Sequence, residues 1–311
     1  MNTNKRFLGV IFLAAILLVS LVACQPGKTT AETPSPTQSP PTESPSPTPQ
    51  PPTETPSPQP ILGVEIPLRI MPLGDSNVEG FCDTSVSCNW PDKIHSPEEG
   101  YGKEGCDWAL NYTNPEAKGF RGFLRDKLIA EGVEMVYVGS VNVVEGLAHE
   151  GHSGFTIFDT DYCIQNADWL EKAKPDIILL HIGSNDANQN KTPDVIVKSL
   201  EKLLERIYEK VPETTEVIVA QVTPTRQGVH AWDDESLPLR NDILAEYNAG
   251  IPAVVEKIRP EGKHVSYVNM WNVFHSADEY DEAGFHPNPV ASERMAQVWF
   301  EKIMEILAQQ P

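Results

Sequence analysis

Basic residues are scarce: 24 Lys and Arg stand against 44 Asp and Glu in 311 residues, a formal net charge of −20. Lys5, Arg6 and Lys28 cancel Glu32, Glu43 and Glu54 over the first 60 residues, so the whole excess lies in residues 61–311. Such a surface repels phosphate backbones and excludes nucleic acid as a partner. Cysteine is sparse, with five in the chain, and none stand in Cys-x-x-Cys pairs, which argues against a structural zinc site. His-x-x-x-His spacing is also missing. His149, His152 and His181 are separated by a loop and a strand, and read as hydrogen bonders of loops and strand ends, so no metal and no cofactor is expected. No apolar run reaches the ~20 residues of a confident membrane span. The Gly-x-Ser-x-Gly elbow of many hydrolases is absent around Ser76.

What is present begins with a leader. Lys5 and Arg6 precede an apolar run from Phe7 to Ala23, which ends in Leu21-Val22-Ala23-Cys24. That ending resembles the lipobox of bacterial lipoproteins and implies cleavage before Cys24, whose thiol would carry the lipid. Residues 1–24 are therefore expected to be a lipoprotein signal peptide, and the remainder an extracytoplasmic protein tethered to a membrane. Residues 25–60 are almost wholly Pro, Thr, Ser, Gln and Glu. They cannot bury enough apolar surface to offset the entropy of ordering, and their prolines favour extended polyproline II segments. At about 3.1 Å per residue such a spacer reaches on the order of 100 Å.

Residues 61–311 alternate apolar strands with amphipathic helices. Strands are expected at Leu68–Leu73, Met135–Val141, Asp176–Ile182, Val217–Val222 and Val265–Met270. Helices are expected over Gly119–Ala130 and Asp168–Lys174, after the cap-and-proline pair Thr192-Pro193, through a stripe from Leu244 to Ile258 kinked at Pro252, and after Pro289. Near-continuous apolar strands separated by helices indicate a parallel sheet covered on both faces. The expected fold is thus a three-layer α/β/α sandwich with a five-stranded parallel sheet. A long polar insert, Phe81–Lys118, carries Cys82, Cys88 and Cys106 together with Trp90, Tyr101, Trp108 and Tyr112. Those aromatic residues could stack on sugar rings or form a small local core. In an oxidising compartment Cys82, Cys88, Cys106 and Cys163 suggest disulfides, and pairing Cys82 with Cys88 and Cys106 with Cys163 is the preferred connectivity.

Polar, turn-forming clusters follow the apolar strands: Gly74-Asp75-Ser76-Asn77, the loop at Gly151–Gly154, Gly183-Ser184-Asn185-Asp186, and a fourth cluster at His286. In a parallel sheet these loops emerge at one edge, where open α/β sheets place their ligands. A hydroxyl, an imidazole and small-residue turns with an amide are the set that acyl transfer requires: nucleophile, base and oxyanion donors. The segments IMPLGDSNVEG, MVYVGSV, HEGHSGFTI, LLHIGSND, YNAGIPAVV and GFHPN resemble, in order, those of the SGNH (GDSL-type) hydrolase family. The similarity is closest to the third family of carbohydrate esterases, which deacetylate xylan. The resemblance implies a flavodoxin-like fold and metal-free hydrolysis of O-acyl esters on a carbohydrate. Ser76 would be the nucleophile and His286 the base, with the backbone N–H groups of Ser76 and Gly154 and the amide of Asn185 as oxyanion donors. It also implies an aspartate three residues before the histidine, yet that position is Ala283. Asp281, Glu282 or a backbone carbonyl is left to orient His286. Two alternatives stay open: a non-catalytic carbohydrate-binding or scaffold lipoprotein derived from an esterase, and a lipase or thioesterase of the same family.

Overall fold

The computed structural model describes residues 67–80, 96–107, 118–231 and 234–309. By its internal contacts the chain divides into Met1–Pro56 and Ser57–Pro311, and every described residue falls in the second unit. The expected signal peptide with Cys24, the proline-rich stretch 25–60, Cys82, Cys88, Trp90, Trp108 and Tyr112 lie outside the described residues.

The elements run β1 (Leu68–Gly74), α1 (Ser76–Glu79), α2 (Gly102–Cys106), α3 (Gly119–Ala130), β2 (Met135–Tyr137), β3 (Glu150–Gly151), α4 (Ile157–Asn166) and α5 (Trp169–Ala173). They continue with β4 (Ile177–His181), α6 (Ser184–Asn188), α7 (Pro193–Lys210), β5 (Glu216–Ala220), α8 (Arg240–Ile258), β6 (Val265–Val268) and α9 (Pro289–Ala308). All paired strands are parallel, in the order β2-β1-β4-β5-β6. The chain reverses its direction of strand addition at β1, so the crevice beyond the carboxyl ends of β1 and β4 is the topological switch point.

Side chains alternate across each strand. Ile177 and Leu179 enter one apolar cluster with Phe120, Leu124, Met295 and Trp299 of α3 and α9. Ile178 and Leu180 enter the other, with Leu200, Leu204, Leu244 and Ile251 of α7 and α8. Both faces are covered, which is why β4 reads as an unbroken apolar run. Within the first cluster buried Trp299 of α9 meets Phe120 of α3 at a ring separation of 6.0 Å.

The sheet corrects the expected strand count from five to six. The additional strand is β3, two residues that pair with Leu73 and Gly74 at the end of β1. So short a strand carries no readable alternation. It forms because Gly151 has no side chain: a Cβ there would lie 2.4 Å from the backbone nitrogen of Glu79. The helix α8 runs through Pro252 as one continuous element. Part of the insert, read from sequence as loop, instead forms the helical segment Pro97–Tyr101 and α2. It is stapled to α4 by the Cys106–Cys163 disulfide, the preferred partner pairing for those two cysteines.

Candidate active site

β1 ends where Asp75 turns out of the strand and caps α1, its carboxylate accepting the Asn77 N–H at 3.0 Å. Asp75 is fully buried and serves the turn, which leaves Ser76 as the first residue of the helix. Ser76 is also buried, and its Oγ lies 2.9 Å from Nε2 of His286, a residue 210 positions away.

His286 is held by a loop that closes on itself ahead of α9. Tyr280 and Pro287 form an antiparallel bridge, and the Asp281 N–H donates to the His286 carbonyl at 2.9 Å. Asn288 then caps α9 by accepting from Val290 and Ala291, with Pro289 at the first helical position. Within this loop one oxygen of Asp281 accepts the N–H groups of Phe285 (2.7 Å) and His286 (3.2 Å). The other lies 2.8 Å from Nδ1 of His286. Burial by itself would raise the Asp281 carboxyl. The hydrogen bond and charge of His286 and the two backbone N–H groups outweigh that and hold it below the usual carboxylate range. An ionised carboxylate only accepts, so Nδ1 carries the proton and the Nε2 lone pair faces the Ser76 hydroxyl. The question left open at Ala283 is answered by Asp281. Glu282 is exposed and offers only its carbonyl, to Arg226 at 3.2 Å.

The loop from β3 to α4 lies against α1. The His152 N–H donates to the carbonyl of Gly74 at 3.0 Å, and buried Ser153 bonds the carboxylate of Glu79. Gly154 follows, also buried. The Asn185 amide donates to the carbonyl of Phe155 at 2.9 Å, which joins the β4 turn to this loop. An amide nitrogen carries two N–H donors, so one remains for a ligand. Neither the Ser76 nor the Gly154 backbone N–H has an acceptor among the described residues. The neighbouring Asp186 accepts the Ile157 N–H at 2.9 Å and pairs with Lys191. Burial pushes its carboxyl up to about 6.

The remaining histidines bond locally. His149 Nδ1 accepts from the Gly151 N–H, His152 Nε2 lies 2.9 Å from Glu150, and His181 Nε2 accepts from the Thr223 N–H. Burial depresses both His149 and His181, which suits neutral acceptors. No group of three or more His, Cys, Asp or Glu side chains poised for a metal occurs among the described residues. Sequence reasoning missed Glu79, Glu150 and Arg240. Arg240 donates to the Ser184 carbonyl and stacks over Phe285, with 4.6 Å to the ring centroid. Charged residues in amphipathic segments read as solvent-facing, and only the packing reveals that these three are buried.

A family model described as GDSL-like Lipase/Acylhydrolase matches residues 70–299. The chain is 28% identical over 249 residues to a multidomain esterase of Ruminococcus flavefaciens, a match that covers 76% of this chain and 28% of that protein's length. Two solved structures are similar in fold. A family 3 carbohydrate esterase of Clostridium thermocellum has 23% identity and a TM-score of 0.54, over 78% of this chain and 97% of that one. A carbohydrate esterase family 3 protein from Talaromyces cellulolyticus has 21% identity and a TM-score of 0.55, over 78% and 100%.

Proposed function

The chain belongs to the GDSL-like lipase/acylhydrolase family, and we propose that it is a serine esterase that removes O-acetyl groups from a carbohydrate such as acetylated xylan. The observation that carries this reading is the hydrogen-bonded line Asp281–His286–Ser76, with contacts of 2.8 and 2.9 Å. In the proposed reaction the Ser76 oxygen attacks the acyl carbon while its proton passes to Nε2 of His286. Asp281 orients the imidazole and stabilises its charged form. The oxyanion is met by the N–H groups of Ser76 and Gly154 and the amide of Asn185. His286 then returns the proton to the departing alcohol. Water, deprotonated by the same imidazole, releases the acid from Ser76.

The carbohydrate substrate is supported by the names of the two carbohydrate esterases of similar fold and by an acidic domain that suits a neutral polymer better than a polyanion. We also propose that Cys24 is lipidated and that residues 25–60 hold the domain away from its membrane, on the strength of the Leu21–Cys24 sequence and the spacer's composition. The scaffold alternative drew its force from alanine at position 283, and the Asp281 contact removes that support.

The test is acetate release from acetylated xylan and from p-nitrophenyl acetate by the full-length protein beside Ser76→Ala. Turnover should be lost in the variant; equal rates in the two proteins exclude the reading. Faster cleavage of long-chain than of acetyl esters would favour a lipase instead.

A further inference from the structure

Glu79 stands one helical turn beyond Ser76 on α1 and is buried at 3% exposure. Its side-chain hydrogen bonds go to a loop. One carboxylate oxygen accepts both the backbone N–H of Ser153 at 3.0 Å and its hydroxyl at 2.5 Å. The Glu79 carbonyl is gripped in turn by Arg121, at 2.9 Å. Burial pushes the Glu79 carboxyl up, and the Ser153 bonds act against that rise. A carboxyl group therefore sits out of water with its hydrogen bonds directed to Ser153.

Ser153 is the residue immediately before Gly154. The two occupy the centre of a turn closed by the Phe155 N–H donating to the His152 carbonyl at 3.1 Å. Gly154 has φ +82°, and Ser153 is not among the residues of positive φ, which makes this a type II turn with glycine at its required position. The turn's outer residues are anchored separately. The His152 ring lies between Phe155 and Trp169, at 4.7 and 4.6 Å, and bonds Glu150. Glu79 adds a direct side-chain tie between the helix that begins at Ser76 and the turn that carries Gly154.

We infer that Glu79 is a positioning residue for the oxyanion site, fixing the separation of the Ser76 and Gly154 backbone donors through the two hydrogen bonds it accepts from Ser153. This rests on the esterase reading, in which those two N–H groups meet the oxyanion. A donor that acts on charge developing in the transition state must be placed within a fraction of an ångström, and a displacement of about 1 Å costs roughly 10² in rate.

The experiment compares the full-length protein with Glu79→Ala, Glu79→Gln, Glu79→Asp and Ser76→Ala on p-nitrophenyl acetate, with native fold checked by circular dichroism and thermal melting. Glu79→Ala should lower kcat by about 10²-fold and leave KM within about threefold, because the donors act in the transition state. Glu79→Gln, whose amide oxygen still accepts both donors, should stay within about fivefold of wild type. Glu79→Asp, one methylene short, should lose at least about tenfold in kcat. A folded Glu79→Ala with wild-type kcat overturns the inference, as does a loss carried by KM or shared equally by Glu79→Gln. If the alanine variant does not fold, the aspartate and glutamine variants decide, and equal kcat in those two overturns it. Ser76→Ala separates this inference from the reading beneath it. An inactive Ser76→Ala beside a fully active Glu79→Ala removes the inference alone, whereas an active Ser76→Ala removes the esterase reading.

Discussion

Asp281 reaches His286 from five positions upstream, and it can do so because its side chain also organises the turn between them. One oxygen gathers the N–H groups of Phe285 and His286 and the other meets Nδ1. The residue that orients the His286 ring thus also sets the path of the backbone that carries it. Its depressed carboxyl has a defined consequence for pH. The stability that Asp281 contributes is present above the unfolded carboxylate pKa near 4 and is lost only as pH falls through its lower folded value. Near neutrality it stays ionised. Asp281→Asn should therefore lower kcat at pH 7 by roughly 10³–10⁴, the scale seen when a serine protease triad loses its charge. The asparagine oxygen can still accept the two backbone N–H groups, so a small change in melting temperature is expected alongside. Glu282→Ala, at an exposed side chain, should leave kcat within about twofold. Steady-state kinetics on p-nitrophenyl acetate with parallel calorimetry measures both, and the reverse ranking would contradict the role given to Asp281.

At the scale of elements, the start of α4 is braced from several directions. Thr156 caps it in a reciprocal capping box with Asp159. Glu98 of the insert accepts from the Thr156 hydroxyl and donates its own N–H to Asp159. Lys191 then bridges Glu98 to Asp186, next to Asn185. The Cys106–Cys163 disulfide locks this part of the insert onto the same helix across a sequence separation of 57 residues. Its removal restores to the unfolded chain the freedom of a long loop, worth about 2–4 kcal/mol. The double variant Cys106→Ala, Cys163→Ala should melt about 5–15 °C lower than the oxidised wild type, as read by calorimetry. At 25 °C its kcat should remain within a few-fold, because Ser76, His286 and Asp281 are placed by α1 and by the loop ahead of α9. An unchanged melting temperature would mean that the insert is held by its hydrogen bonds and ion pairs alone.

For the whole molecule, the buried carboxylates and the net charge act in one direction. Asp186 is raised to about 6 by burial, and burial also raises Glu79, Asp159 and Glu216. A carboxyl whose folded pKa exceeds its unfolded value takes up protons on folding, so stability increases as pH falls through the folded value toward about 4. Among the carboxyls the opposing groups act lower: Asp281 is depressed, and the Arg294 hydrogen bond holds Glu279 at about 2. The buried, depressed imidazoles of His149 and His181 oppose within the same window, because the unfolded chain takes up protons there below about 6.5 and the folded one resists them. Self-repulsion among the charges behind the formal −20 also eases on acidification. Relative to Asp186→Asn, in which the other titrations cancel, the wild-type melting temperature should accordingly be higher at pH 5 than at pH 8. Added salt should raise it more at pH 8, where there is more charge to screen. A difference between wild type and Asp186→Asn that is the same at pH 8 and pH 5 would refute the raised carboxyl of Asp186.

The amino-acid order alone established the layered parallel architecture, because alternating apolar strands and amphipathic helices can bury their apolar surfaces in few other ways. Gly119–Ala130 is helical to the residue, and the helices starting at Pro193 and Pro289 stand where expected, although the Thr192 side chain makes no capping bond. Ser76, Gly154, Asn185 and His286 were singled out by the resemblance of their segments to one family, and the fold sets Ser76 against His286. Tertiary structure alone decided which acid serves His286. Asp281, Glu282 and a backbone carbonyl were equally within reach along the chain, and a hydrogen bond made through a folded turn leaves no mark in local composition. The same holds for β3, whose two residues are a strand only because Gly151 lets the backbones approach, and for Glu79. The turn Gly74-Asp75-Ser76-Asn77 could be found by reading. What holds its surroundings in place comes from side chains 74 and 205 positions beyond Glu79 and Ser76, as in the Ser153 and Asp281 contacts, and folding alone brings them there.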